Sequence, residues 1–116
     1  VQGEPILLHR AFENIIRNAI KFSSENKPIQ VVVKQKEESI CVQVLDEGKG
    51  VPEHLLPLLF KPFSRVNHHE TGIGLGLFIS KKIVQLHHGN ILAQNRTTPN
   101  GFVVTICLPN SMEPSN

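Results

Sequence analysis

The stretch "DEGKGVPEHLLPLLFKPFSRV", residues 46–66, is a long connector between two groups of predicted helices and strands. It opens with an acidic residue and two glycines, contains three prolines, and continues into "ETGIGLGLFIS", residues 70–80. Its two phenylalanines, Phe60 and Phe63, fit either of two roles: core side chains, or the hydrophobic anchor points of a mobile lid. The connector therefore raises the question of what a lid at this position would cover.

The residues before the connector predict one helix and two strands. Residues 5–22 predict an α-helix that starts at Pro5, because proline suits a first helical turn. "IQVVVKQKE" (29–37) and "SICVQVLDEG" (39–48) are rich in β-branched residues and predict an antiparallel pair. The apolar residues of the helix recur at the spacing of one buried face: Leu8, Phe12, Ile15, Ile16, Ala19 and Phe22.

The residues inside and after the connector predict two more helices and two more strands. Residues 53–59 fit a short helix, and residues 74–88 fit a longer one that stops before Gly89. "NILAQN" (90–95) and "GFVVTICLP" (101–109) predict strands on either side of a turn. We therefore expect a two-layer α/β sandwich, with a mixed, mostly antiparallel sheet and about three helices on one face.

Composition limits what kind of protein this is. A chain of 116 residues with 40% apolar and 19% charged residues suits one globular domain, which we expect to span residues 1–116. The net charge of +2 is too small to argue for nucleic acid or a membrane surface. No apolar run reaches the length of a membrane span. Because the chain begins at Val1 rather than Met, we expect it to be part of a longer protein.

The two cysteines, Cys41 and Cys107, lie in separate apolar, strand-like runs without metal-ligand spacing. Reduced, buried thiols are favoured over a disulfide, which points to a reducing compartment.

Three polar residues share one stripe of the first helix. Asn14, Asn18 and Lys21 are spaced at i, i+4 and i+7, beside the apolar face. Asparagine is a poor residue inside a helix, because its amide competes for backbone partners. The stripe is either a solvated face or an inward polar rim, where an amide oxygen holds Mg²⁺ and the lysine meets a phosphate.

"DEGKGVP" closes the second strand with an acid and two glycines. Asp46 is either a solvated turn residue or a carboxylate aimed into a cleft, where it accepts a hydrogen bond from an amino group such as that of adenine. Gly48 and Gly50 would allow the backbone to approach such a ring closely. The motif alone does not decide between these two interpretations.

"GIGLGL" places Gly72, Gly74 and Gly76 at the start of the second long helix. The pattern is neither a Walker loop nor a dinucleotide fingerprint. Glycines at a helix N-terminus expose N–H groups to an anion, so a phosphate contact is one interpretation and a plain helix start is the other.

Taken in order, these motifs resemble the ATP-binding domain of histidine kinases, in the superfamily that includes DNA gyrase, heat-shock chaperones and mismatch-repair ATPases. "FENIIRNAIKFS" resembles the N box, "DEGKGVP" the first glycine box, "LFKPFSRV" the F box and "GIGLGLFIS" the second glycine box. "GFVVTICLP" resembles the closing strand. The resemblance covers essentially the whole chain.

The resemblance implies a role for individual residues. Asn18 would hold Mg²⁺ with Asn14 beside it, Lys21 would touch phosphate, and Asp46 would read adenine. The catalytic group would be Asn14, Asn18 and Lys21. The remaining nucleotide-binding positions would be Gly48, Gly50, Val51, Phe60, Arg65, Gly72, Ile73, Gly74, Leu75, Gly76, Leu77 and Thr105, with a lid from Pro52 to Thr71.

Two positions depart from the family pattern. Relatives that hydrolyse ATP have a glutamate as general base where this chain has Asn14, which suits transfer to a histidine instead. The family often has a small hydroxyl residue after the glycine at position 101, and this chain has Phe102. One polar contact near Asp46 would then be absent, or supplied by water or Thr105.

The implied function is a protein-histidine kinase that takes MgATP and passes the γ-phosphoryl group to a histidine on a separate dimerisation domain. The histidine would then pass the phosphoryl group to an aspartate on the receiver domain of a response regulator. The implied domain is cytoplasmic and monomeric, and the implied parent protein is a homodimer anchored in the inner membrane. The alternatives are an anti-sigma-type serine kinase and a nucleotide-binding scaffold without catalysis. His87 and His88 are expected to be surface residues rather than the phosphoacceptor.

Overall fold

The computed structural model describes residues 3–61 and 73–109, with side chains described from residue 77 onward in the second range. The predicted order of elements is confirmed. They are α1 (Pro5–Phe22), β1 (Gln30–Gln35), β2 (Ser39–Asp46), a 3₁₀ helix (Glu53–Leu58), α2 (Ile73–Leu86), β3 (Asn90–Thr97) and β4 (Asn100–Pro109).

The four strands form one sheet in the order β1-β2-β4-β3. All three ladders among the described residues are antiparallel, which agrees with the expected α/β sandwich on a mostly antiparallel sheet; no parallel ladder occurs among these residues. Two of the ladders are hairpins, in which a short turn reverses the chain. The third, β2 with β4, joins the hairpins and places the end of β2 beside the beginning of β4.

Helix α1 begins and ends where the sequence predicts. The Glu4 side chain accepts a hydrogen bond from the backbone N–H of Ile6 at 3.4 Å, and Pro5 occupies the first turn. Ala11, Ile15 and Ala19 form the fully buried stripe of the helix. Ala11 was not among the predicted buried residues, and its backbone oxygen accepts a hydrogen bond from Ser80 of the second long helix.

Helices α1 and α2 pack on one face of the sheet. Ser80, which is fully buried, donates from Oγ to the backbone oxygen of Ala11 at 2.9 Å and so links the two helices. Beneath them, alternate strand residues form a continuous core: Val44, Ile91, Phe102, Val104, Ile106 and Leu108. Among the described residues, no helix is both long and apolar enough to cross a membrane.

The prediction of free, reduced thiols at the two cysteines is wrong. Cys41 and Cys107 are directly opposite each other in the β2–β4 ladder, with their Cα atoms 4.1 Å apart, and they form a disulfide. The sequence could not show this, because strand register decides whether two distant residues meet. The inference of a reducing compartment loses its basis.

His87 also differs from the prediction of a surface residue, since it is only 8% exposed. Its Nδ1 donates to the backbone oxygen of Ile83 at 2.8 Å, and its Nε2 accepts from the N–H of Glu4 at 2.9 Å. The ring therefore joins the end of α2 to the start of α1. His88, the next residue, is exposed as predicted and has a positive φ of 64°.

Candidate functional site

A cavity of about 230 Å³ opens between the second half of α1, the end of β2 and the 3₁₀ helix. Within the described part of the chain, only two of its lining side chains are polar, those of Asn18 and Asp46. The other lining residues are apolar or glycine: Phe22, Gly50, Val51, Pro52, Leu55, Leu59 and Phe102. An apolar slot with a few fixed polar groups is the usual form of a small-molecule site.

Asp46 is the buried acid of this cavity. It is the last residue of β2 and is 3% exposed. Burial raises the pKa of its carboxyl above the ordinary value, while hydrogen bonds from the backbone of Gly48 and Phe102 and the charge of Arg96 act in the opposite direction. Both hydrogen bonds reach the same oxygen, Oδ1, at 2.9 Å from Gly48 N and 3.2 Å from Phe102 N. The carboxylate is thereby held in one orientation at the cavity wall.

Phe102 explains how the chain tolerates an apolar residue beside Asp46. The contact to the carboxylate comes from the backbone N–H of Phe102, and the ring, 6% exposed, lines the cavity. Thr105 does not replace a missing hydroxyl, and that prediction is wrong. It is three residues further along β4, on the opposite face of the sheet, where its Oγ1 accepts from Gln43 Nε2 at 3.4 Å.

Two glycines allow the backbone to close around Asp46. A Cβ at Gly48 would fall on the backbone oxygen of Phe22, and a Cβ at Gly101 would fall on the backbone oxygen of Asp46. The turn after β2 therefore packs directly against the end of α1. Gly50, also predicted to be a site residue, lines the cavity with φ at 78°, which L-residues rarely adopt.

Asn18 carries the other polar group of the cavity. Its Oδ1 is buried and has no hydrogen-bond partner among the described residues. Buried polar atoms in folded proteins are nearly always paired, so this oxygen at the cavity wall is available to a water molecule, a metal ion or another ligand. A neutral amide oxygen is a ligand type that Mg²⁺ accepts, so Asn18 fits the predicted metal role.

The other predicted residues of α1 lie beside the cavity rather than in its wall. Asn14 is half-buried one turn before Asn18, and Lys21 is exposed in the last turn. Their spacing keeps both on the side of the helix that carries Asn18.

The predicted lid and second glycine box are only partly described. Phe60 does not line the cavity. It packs on the other side of the 3₁₀ helix, with Lys81 Nζ 5.5 Å from the ring centroid. Leu77 is 1% exposed and belongs to the core. Ile73, Gly74, Leu75 and Gly76 form the first turn of α2. Arg65, Gly72 and the second half of the lid, residues 62–71, lie outside the described residues.

Sequence reasoning missed the residues that brace the cavity from β3. Asn95 binds the backbone of Val51, and Arg96 Nη1 donates to the backbone oxygen of Asp46 at 2.8 Å. One signal was present, because asparagine is depleted in strands and its place in "NILAQN" required a reason.

Comparison with known proteins identifies the family of this chain. Residues 3–112 match the family described as "Histidine kinase-, DNA gyrase B-, and HSP90-like ATPase". The heme sensor protein HssS of Staphylococcus saprophyticus is 38% identical over 91 residues, which are 78% of this chain and 20% of that protein. The sensor protein BasS of Escherichia coli K12 is 38% identical over 101 residues, or 87% of this chain and 28% of that protein.

Solved structures agree with the sequence matches. The mycobacterial sensor histidine kinase MprB superposes with a TM-score of 0.84 at 30% identity, covering 94% of this chain and 76% of that one. The catalytic domain of the histidine kinase ThkA gives a TM-score of 0.83 at 31% identity, covering 94% and 71%.

Proposed function

Because this chain belongs to the family of histidine kinase-, DNA gyrase B- and HSP90-like ATPases, and its relatives are sensor histidine kinases, we propose that it donates the γ-phosphoryl group of ATP to a histidine. The observation that carries the proposal is the presence of two polar groups in the wall of one apolar cavity. These are the oriented carboxylate of Asp46 and the unpaired Oδ1 of Asn18.

Asp46 supports adenine as the base. A carboxylate accepts hydrogen bonds and cannot donate them when ionised, so it suits an amino group and disfavours a carbonyl oxygen at the same place. The apolar walls around it, from Val51, Leu55 and Phe102, suit the faces of a planar ring. The adenine amino group would bind the carboxylate while the ring displaces water from the slot.

The position of Asn18 favours a magnesium ion beside the phosphates of the nucleotide. When bound, the ion supplies positive charge that neutralises the phosphate oxygens during transfer. Asn18 Oδ1 would be its protein ligand, and Lys21 would add a second positive charge from the last turn of α1. Both side chains lie on the helix that forms one wall of the cavity, so they would approach the phosphate end of a nucleotide from the same direction.

Asn14 supports transfer to a histidine rather than to water. An amide cannot take a proton from an attacking water or hydroxyl, whereas an imidazole nitrogen is already a nucleophile. In the proposed step, a bond forms between that nitrogen and the γ-phosphorus while the bond from phosphorus to the bridging oxygen of ADP breaks. In-line placement and charge neutralisation are the protein's main contributions to such a step.

The proposed protein partners would lie outside residues 1–116. The chain spans 20% and 28% of the lengths of HssS and BasS, so residues 1–116 are proposed as one catalytic domain of a larger sensor kinase. The acceptor histidine would lie on a dimerisation domain of that homodimeric parent, and a receiver domain would accept the phosphoryl group next. We place this domain in the cytoplasm, where ATP is available, and the parent in the inner membrane.

A transfer experiment tests the proposal. The chain, loaded with γ-labelled ATP and magnesium, is mixed with a helical dimerisation domain that carries an acceptor histidine and, separately, with the same domain carrying alanine at that histidine. Label that appears only on the intact acceptor, and that is lost in acid as expected for a phosphoramidate, supports the proposal. Acid-stable label on serine would instead indicate a serine kinase, and binding without transfer to any acceptor would indicate a scaffold.

A further inference from the structure

The side chain of Asn95 forms a two-bond pair with the backbone of Val51. Its Oδ1 accepts from Val51 N at 2.8 Å, and its Nδ2 donates to Val51 O at 2.6 Å. These are the two bonds that a neighbouring strand would make with residue 51, so the amide acts as a one-residue strand partner for a segment outside the sheet. The same Nδ2 also lies 3.2 Å from Glu53 Oε2 at the start of the 3₁₀ helix.

Asn95 is placed for this by a row of residues that crosses the sheet. It pairs with Phe102 in the β3–β4 ladder, and Phe102 pairs with Asp46 in the β2–β4 ladder. Residues directly opposite in an antiparallel ladder point to the same face, so all three side chains lie on the helix-covered face. Asn95 thus stands at the β3 end of the row, and Asp46 at the β2 end.

The segment that Asn95 binds is a wall of the cavity. Gly50, Val51 and Pro52 line it, whereas Asn95 itself does not. Gly50 lies so close that a Cβ there would be 2.6 Å from Asn95 Oδ1. Arg96, the next residue of β3, holds the other end of the same turn through the backbone oxygen of Asp46.

We propose that Asn95 is a positioning residue for the nucleotide pocket, because it fixes the Val51 wall opposite Asp46 through an amide that must both accept and donate. This inference rests on the proposed function for its effect on nucleotide affinity. Its effect on the Val51 backbone is independent of any ligand.

The chemistry of the pair makes the substitution Asn95→Asp informative. An ionised aspartate has nearly the same shape and can still accept from Val51 N, but it has no proton to give to Val51 O. It also faces the carboxylate of Glu53, so one attractive contact becomes a repulsive one. A protonated aspartate recovers the missing donor. The charged groups around position 95 are Glu53 on the 3₁₀ helix, Arg96 beside it on β3, and Asp46 at the far end of the row.

The test compares Asn95→Asp with Gln94→Glu, which adds the same charge at the neighbouring exposed position on the opposite face of β3. We expect Asn95→Asp to weaken MgATP binding about tenfold at pH 7.5, the value for roughly 1.4 kcal/mol of lost hydrogen bonding. The ratio of wild-type to variant affinity should shrink as pH falls, and adding Glu53→Gln should restore part of the loss. Gln94→Glu should bind like wild type. Equal affinity of wild type and Asn95→Asp at pH 7.5, or a loss that pH and Glu53→Gln leave unchanged, would overturn the proposal.

Amide hydrogen exchange without nucleotide separates this inference from the proposed function. Asn95→Ala removes the acceptor as well as the donor, so at pH 7.5 its Val51 amide should exchange roughly tenfold faster or more than in wild type, while amides of β4 change little. If wild type fails to bind MgATP, the proposed function fails, and the exchange of Val51 still decides whether Asn95 holds this segment. Unchanged Val51 protection in Asn95→Ala contradicts the positioning role.

Discussion

Asp46 and Phe102 are paired across the β2–β4 ladder, and the backbone N–H of Phe102 donates to Asp46 Oδ1 at 3.2 Å. Because the contact uses the backbone, the side chain at position 102 is free to change without removing it. The ring of Phe102 is instead part of the cavity wall. An apolar residue at this position therefore alters the shape of the pocket but does not remove the backbone hydrogen bond to the Asp46 carboxylate.

Replacing Asp46 with asparagine should separate binding from stability. The new side chain can still accept from Gly48 N and Phe102 N through Oδ1, but it presents an amide NH₂ where the base needs an acceptor. Losing a hydrogen bond to a charged group costs roughly 1.5–3 kcal/mol, so nucleotide affinity should fall roughly 10- to 150-fold. Isothermal titration with MgATP measures this change.

The same variant should be at least as stable as wild type at neutral pH. In the folded state the pKa of Asp46 is raised above its ordinary value of 3.8. At any pH between the unfolded-state pKa and the folded-state pKa, the folded chain therefore binds more protons than the unfolded chain. Stability from this group therefore falls as pH rises through that window and stays reduced above it. The amide in Asp46→Asn does not ionise, so chemical denaturation should show the variant's advantage growing from about pH 4 to a plateau. A variant clearly less stable than wild type at neutral pH would contradict this account.

Replacing Asn18 with alanine should remove the magnesium dependence of binding. The variant loses the unpaired Oδ1, so the affinity for nucleotide should become similar with and without the metal, a loss of roughly tenfold or more when magnesium is present. Stability should change little, because a buried acceptor without a partner carries a desolvation penalty that the alanine removes. Titrations with and without EDTA measure the first effect.

Asn90→Ala is the matched control, since Asn90 is exposed at the start of β3. It should keep the full response to magnesium. An Asn18→Ala chain whose affinity still depends on the metal as strongly as wild type would exclude Asn18 as the ligand.

Replacing Gly48 with alanine should destabilise the chain, because the added Cβ would fall on the backbone oxygen of Phe22. Backbone cannot move aside as a side chain does, so a cost of roughly 1–3 kcal/mol in the free energy of unfolding is expected. Lys49→Ala, at the exposed next position, should have almost no effect. Thermal unfolding of both variants checks the difference, and equal melting temperatures would show that the turn relaxes.

Replacing His87 with leucine should loosen the start of α1. The Glu4 N–H loses its acceptor and the Ile83 oxygen loses a donor, at roughly 1–3 kcal/mol for an unsatisfied buried group. Hydrogen exchange should rise over residues 4–8. His88→Asn, in an exposed position with φ at 64° that asparagine tolerates, should leave exchange there unchanged. Protection at residues 4–8 that survives in His87→Leu would contradict this role.

The order of elements could be predicted from the sequence because periodicity depends on local spacing. The recurring apolar positions in α1 placed the helix at Pro5–Phe22. The β-branched runs placed the first two strands, and the turn around Pro99 and Asn100 separated the last two. Asp46 was recognisable as a candidate buried acid because it closes an apolar strand and is followed by glycines.

What could not be predicted depends on register and on contacts between distant residues. Cys41 meets Cys107 only because β2 and β4 align at that position, and Thr105 faces away from Asp46 because it is an odd number of residues from Phe102. His87 is buried because α2 ends beside the start of α1. Each of these facts depends on how two distant segments of the chain pack together. A helical or strand pattern, in contrast, can be recognised within a single segment.

The most direct test of the central claim is calorimetric titration of the folded wild-type chain with ATP, in the presence and absence of magnesium. The account predicts saturable binding of one ATP per chain that weakens strongly when magnesium is withheld and when Asp46 is replaced. A folded chain that takes up no ATP, or that binds it equally well without the metal and with Asp46→Ala, would contradict it.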